Sequence, residues 1–169
     1  MNQERISLTM APGGENNRGM EIIGRMPITG EINSRNFITK ITKYEKICSI
    51  PNSMTVLPEL LPKVIEMMKM NITGTINLTN PGLISHNEIL TMFQNIVDPK
   101  FTWKNFSKEE QSKILHSDRS NNYLDTTRLQ ELFPDIKNIK QSVKDCLIKY
   151  RESYIKNSNN NSNDNYIIN

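Results

Sequence analysis

The chain has 169 residues, 36% hydrophobic and 23% charged, the balance of an ordinary globular protein with room for one modest domain or for part of a larger one. Its 21 basic and 18 acidic residues leave a charge of +3 with no Lys/Arg run to concentrate it, which argues against a nucleic-acid partner. No apolar run reaches the roughly 18 residues of a membrane span, the polar amino terminus is unlike a signal peptide, and Cys48 and Cys146 stand in no metal or redox spacing, so the reading is a cytoplasmic protein without membrane or metal.

In chain order, residues 1–19 hold Pro12, Gly13, Gly14, Asn16, Asn17 and Gly19 and read as a flexible leader. Met20–Ile23 is a short apolar run that suits a buried strand, left on an unfinished sheet edge. Ile47–Ile50 is a second candidate strand, ended by Pro51. Pro58 suits the first turn of a helix, where its missing N–H costs little. Leu57, Leu60, Leu61, Val64, Ile65 and Met68 then make one apolar stripe at helical spacing. Thr75–Leu78 reads as a third strand.

Ser85-His86-Asn87-Glu88 has the form of a capping box, with the Ser85 hydroxyl and the Glu88 carboxylate each satisfying a backbone N–H of the other residue. The helix it starts should bury Ile89 and Phe93. Ser107 and Glu110 repeat the pattern ahead of Ile114 and Leu115, and Asp125 is placed to cap a helix stopped by Pro134. Ile139, Val143, Cys146, Leu147 and Tyr150 form the stripe of a last helix. Residues 151–169 drift into Asn and Ser and read as a disordered tail, too polar to offset the entropy of ordering it. The pattern is α/β with few strands and no complete sheet.

Single residues say little about chemistry. His86 and His116 are isolated, Asp118 and Arg119 suit a local ion pair, and Asn121-Asn122 suits a turn. The sequence contains no Gly-x-Gly-x-x-Gly turn to cradle a pyrophosphate and no Tyr-x-x-x-Lys pair to protonate a carbonyl oxygen.

A set of colinear segments is more specific. Arg25-Met26-Pro27-Ile28, Arg35-Asn36-Phe37-Ile38-Thr39-Lys40 and Ile50-Pro51-Asn52-Ser53-Met54-Thr55 are followed by Asn80-Pro81-Gly82, Ser85-His86-Asn87-Glu88-Ile89-Leu90, Phe101-Thr102-Trp103-Lys104-Asn105-Phe106 and Arg119-Ser120-Asn121-Asn122. Over residues 20–150 the chain resembles the bifunctional 3,5-epimerase/4-keto-reductases that complete nucleotide-rhamnose synthesis. These belong to the dTDP-4-dehydrorhamnose reductase family of extended short-chain dehydrogenases.

The resemblance implies an α/β fold made of the last Rossmann strands and the small substrate domain, with the amino-terminal Rossmann half absent. It also implies a nucleotide-sugar ligand, with UDP and dTDP both open, and NADPH as cofactor of the complete enzyme but not of this chain alone. A Rossmann-bearing chain is then the expected protein partner. Lys40 matches the lysine implied as one epimerisation acid/base. Arg25, Asn36, Phe37, Asn52, Ser53 and Met54 match segments implied to line the substrate cleft, and Arg119 and Asn121 match a segment implied to lie near the diphosphate. Two functions follow: a truncated or split piece of the epimerase/reductase, or a non-catalytic nucleotide-sugar-binding or regulatory subunit of the same descent.

Overall fold

The computed structural model describes residues 5–10, 19–107, 109–110 and 123–163. His116, Asp118, Arg119, Asn121, Asn122 and the short helix expected at Ile114–Leu115 lie outside the described residues.

Strand β1 (Arg5–Met10) pairs antiparallel with β2 (Met20–Arg25) over six residues, from Arg5 opposite Arg25 to Met10 opposite Met20. On its other side β2 runs parallel to β5 (Gly74–Asn77). A second, two-stranded sheet pairs β3 (Pro27–Ile28) with β4 (Thr55–Val56) in parallel. The helices are α1 (Phe37–Ile41), α2 (Leu57–Lys69), α3 (His86–Ile96), α4 (Thr127–Leu132) and α5 (Ile139–Asn163).

The α/β class therefore holds, with three corrections. Residues 5–10, read as flexible leader, form β1 and cover the edge of β2 that the sequence left open. The alternation Arg-Ile-Ser-Leu-Thr-Met is the period-two pattern of a strand with one apolar face. Ile47–Ile50 is not a strand: Ile47 makes an isolated parallel bridge to Asn105, and Pro51 then removes a donor. The Asn-rich segment does not leave the fold at residue 151, because the backbone of α5 continues to Asn163. Adding residues to an existing helix costs far less than nucleating one, so a polar tail can propagate from a well-packed start.

That start is firm. Ile139, Val143, Cys146, Leu147 and Tyr150, the expected stripe of α5, are all buried. They pack with Ile28, Ile38, Ile41, Met54, Ile84, Ile89 and Phe93 in one core. Gly30 is required beside this helix, because a Cβ there would lie 2.8 Å from the Cβ of Lys149. A second core joins Met20 and Ile22 of β2, Ile76 of β5, Leu60, Val64 and Met67 of α2, and Leu129 and Phe133 of the α4 region.

The capping box of α3 is complete. The Ser85 Oγ accepts from Glu88 N at 3.2 Å, and Ser85 N donates to Glu88 Oε2 at 2.8 Å. Hydrogen bonds from Lys140 and from the Ser85 backbone hold the Glu88 carboxyl below its ordinary value of 4.5. A carboxylate so depressed adds stability above its unfolded pKa, and that contribution disappears as pH falls through the lowered folded value. Ser85→Ala should cost about 1 kcal/mol at pH 7. Glu88→Gln should destabilise at pH 7, and its effect should shrink as pH falls below 4.5, as read from a series of urea melts across that range.

Candidate functional site

Helix α1 carries Lys40 on a rigid mount. Phe37, Ile38, Thr39 and Ile41 are buried, and Lys40 is the one half-buried residue among the five. The helix starts at Asn36, whose Oδ1 accepts from Ile38 N at 3.2 Å and Thr29 N at 3.3 Å. Its Nδ2 donates to Thr29 O at 2.9 Å and Glu31 O at 2.7 Å. Both ends of this amide are engaged by its own loop, so Asn36 sets the direction of α1. Thr39 adds a buried hydroxyl pair with Tyr150 OH at 2.9 Å, which joins α1 to α5. Burial pushes the Tyr150 phenol above its ordinary value, against the opposing effect of the Thr39 bond.

Phe37 meets the edge of His86 at the start of α3, with ring centroids 5.2 Å apart. Just beyond α1, a cavity of about 480 Å³ is lined by Lys43, Tyr44, Glu45, Lys46 and Phe106. The Lys46 ammonium lies 2.5 Å from Glu110 and 5.7 Å from the centre of the Phe106 ring.

The expected cleft loop at Asn52, Ser53 and Met54 is more deeply placed than a surface loop. All three residues are buried. Asn52 exchanges backbone hydrogen bonds with Ile84, Ser53 Oγ accepts from Leu124 N at 2.9 Å, and Met54 belongs to the first core. Their observed contacts hold the β3–β4 region against the start of α3 and the segment before α4.

Arg25 ends β2, and its N–H donates to Thr55 Oγ1 at 2.9 Å. The Thr55 hydroxyl in turn donates to Leu78 O at 2.7 Å, so one buried hydroxyl ties the carboxyl ends of β2 and β5 to β4. Between Arg25 and Pro27, Met26 is buried at a φ of +42°. A non-glycine residue in the left-handed region costs on the order of 1–2 kcal/mol, and strain of this kind gathers where surrounding structure must aim a neighbour. Sequence reasoning missed Thr55 and Met26, and neither carries a local signal: one acts through partners 23 and 30 residues away, the other through its backbone.

Those expected residues that lie among the described ones are linked along one seam of contacts and chain neighbours. It runs from Arg25 through Thr55 and Met54 to Asn52, then through Ile84 and His86 to Phe37 and Lys40. Among the described residues no group of three or more His, Cys, Asp or Glu side chains is placed to hold a metal ion. No helix among them is long and apolar enough to cross a membrane.

Helices α2 and α3 both start directly after extended residues. At α2, Val56 makes no side-chain cap and Pro58 withdraws an N–H from the first turn. At α3, the carboxylate of Glu88 already takes the place an anion would occupy. The α3 start is thereby closed to an anion by its own carboxylate, while the α2 start carries no glycine turn.

No family model matches the chain. Over 120 residues it is 58% identical to the bifunctional dTDP-4-dehydrorhamnose 3,5-epimerase/dTDP-4-dehydrorhamnose reductase of Arabidopsis thaliana, covering 70% of this chain and 40% of that protein. Over 127 residues it is 54% identical to the trifunctional UDP-glucose 4,6-dehydratase/UDP-4-keto-6-deoxy-D-glucose 3,5-epimerase/UDP-4-keto-L-rhamnose-reductase RHM1 of the same plant, covering 75% of this chain and 18% of that one. The crystal structure of the L780 UDP-rhamnose synthase from Acanthamoeba polyphaga mimivirus superposes with a TM-score of 0.70 at 52% identity, over 76% of this chain and 45% of that chain. The chain is homologous to a segment of the nucleotide-rhamnose synthases, and it spans less than half the length of these relatives.

The Thr39–Tyr150 pair is testable without any ligand. Tyr150→Phe should cost on the order of 1–3 kcal/mol, because it leaves the Thr39 hydroxyl buried without its partner. Removing both polar groups in Thr39→Val/Tyr150→Phe should recover a large part of that loss in urea melts.

Proposed function

From this homology to the nucleotide-rhamnose synthases, we propose that the chain supplies the sugar-nucleotide site for 3,5-epimerisation and 4-keto reduction of a 4-keto-6-deoxyhexose nucleotide. Lys40 acts as one of the two epimerisation acid/bases. The reading is carried by 52–58% identity over this segment together with the mount of Lys40, whose four helix neighbours are buried while it alone reaches the surface. Epimerisation beside a ketone withdraws a proton from one face of the ring and returns one to the other. It needs a group on each face, held still, and α1 supplies one such group.

Arg25 and Phe37 border the same seam, and Arg119 and Asn121 belong to the reading on resemblance alone. We read the parallel pair β2–β5 as the end of a Rossmann sheet, with the hydride chemistry supplied by a dinucleotide-binding body outside these 169 residues. A second reading, a non-catalytic nucleotide-sugar-binding or regulatory subunit, is favoured by β1, which closes the β2 edge on which a larger sheet would build.

The test is a chimera in which the homologous segment of the L780 synthase is replaced by that of this chain. It should incorporate solvent deuterium into UDP-4-keto-6-deoxyglucose. Lys40→Ala should cut that exchange by about 10²–10⁴-fold while reduction of an already epimerised ketone continues. Equal exchange with and without Lys40 removes Lys40 from the mechanism. No exchange from a folded chimera favours the regulatory subunit.

A further inference from the structure

We propose that β1 is a displaceable strand, holding the edge of β2 at which a strand of that dinucleotide-binding body would join the sheet. The inference rests on the reading above that such a body exists and that β2–β5 end its sheet.

The sheet order β1-β2-β5 gives two outer edges, and the β5 edge is already engaged. Gly74 N donates to Gly19 O and Leu78 N to Ile23 O, so the backbone groups of Gly74, Ile76 and Leu78 face β2. Strand alternation turns those of Thr73, Thr75 and Asn77 outward. There the Arg128 guanidinium of α4 donates to Thr75 O at 3.1 Å and to Thr73 O at 2.6 Å. The Asn77 side chain adds a bond to Asp125 O at 2.9 Å. Two carbonyls that a further strand would use are thus bound to α4.

The other outer edge is β1 itself. It runs antiparallel to β2, whereas β2 and β5 are parallel. In α/β proteins an antiparallel strand sits at the edge of an otherwise parallel sheet. A parallel sheet that ends in β2–β5 therefore has no place for β1 between β2 and its next strand. Strand β1 also precedes residues 20–150, the stretch that resembles the synthases. With the carbonyls of Gly19 and Ile23 turned to β5, the backbone groups of Met20, Ile22 and Gly24 face β1, opposite Met10, Leu8 and Ile6. An incoming strand needs those same groups, so β1 and the body exclude each other. Being part of the chain, β1 competes as a tethered strand at high effective concentration, which weakens the junction without forbidding it.

Two measurements test this. In the intact chain, amide hydrogen exchange should find Ile22 and Gly24 at least about tenfold less protected than Ile76, because β1 opens without the rest of the sheet. Equal protection of the three amides overturns the proposal. The second measurement uses two L780 chimeras carrying the segment from residue 20 of this chain, one with residues 1–19 inserted before it and one without. The shorter chimera should melt in urea as one cooperative unit. The longer should melt at a lower midpoint or in two steps. Leu8→Pro, which removes a ladder donor opposite Ile22, should restore the single transition there, yet lower the midpoint of the isolated chain. Identical melts of the two chimeras, a loss from Leu8→Pro in both contexts, or a shorter chimera that melts in two steps or does not fold each overturn the proposal. So does recovery of one transition in the longer chimera by Arg128→Ala, since the sheet would then extend from β5. Lys40→Ala should leave the number of transitions unchanged, so failure of the deuterium-exchange assay counts against the proposed function and not against the role of β1.

Discussion

The side chain of Asn80 is the junction on which the two cores depend. It is fully buried between β5 and α3. Its Oδ1 accepts from Val56 N at 2.9 Å, and its Nδ2 donates to Glu59 Oε2 at 2.9 Å and Ser142 Oγ at 3.1 Å. Glu59 in turn accepts from Ser142 Oγ at 2.5 Å and, through its other oxygen, from Lys137 N at 2.8 Å. One amide thereby connects β4, the first turn of α2 and the first turn of α5. A buried network of this kind is valuable only when every member is satisfied, because each unpaired group would cost about 1–3 kcal/mol. Asn80 sits where no aspartate or leucine could replace it, since the site needs an acceptor on one side and a donor on the other. Gly82 serves the same junction: at a φ of +90° it lets the loop pass Asn138, whose Nδ2 a Cβ would approach to 2.8 Å.

Placement of Lys40 follows from that junction in two steps. The Asn80 network fixes the start of α5, and Tyr150, three turns along that helix, holds Thr39 of α1. The strained Met26 works from the opposite end of the seam. Its left-handed turn lets the chain leave β2 and enter β3 without losing either pairing, and it leaves Arg25 bonded to Thr55. The positioning groups are thus neutral amides and hydroxyls in the interior, while the charged residue they present reaches solvent. That division suits a general acid/base, which must exchange protons yet keep its place.

Local rules read well where local forces decide. The Ser85–Glu88 box and the α5 stripe needed only spacing, and both residue sets stand as the spacing requires. The stripe of α2 was legible as a helix but not as a surface. Six apolar residues share an arc wider than the face its neighbours cover, and only contact with β2, β5 and α4 decides that Leu60 and Val64 go inside while Leu61 and Ile65 stay out. The strand in residues 5–10 carried its period-two alternation openly, yet the Gly/Pro/Asn cluster that follows dominated the reading of residues 1–19. For Asn52, Ser53 and Met54 only the family resemblance pointed to a cleft-lining segment. Their partners, Ile84, Leu124 and Asn80, are 26 to 71 residues away and leave no trace in a local window.

The sheet itself explains why α2 is the element with an open side. Along β2, Met20, Ile22 and Gly24 are buried while Glu21, Ile23 and Arg25 are half-buried, and Thr75 Oγ1 of β5 donates to Glu21 across the less covered face. Alternation of this kind belongs to a sheet packed on one side only, whereas parallel sheets covered on both faces read as continuous apolar runs. With polar groups on one face and β1 along one edge, the sheet offers little apolar surface to a neighbour. The apolar surface beside this sheet has moved one layer out, onto the helix that covers it, where burial does not compete with backbone hydrogen bonds already made.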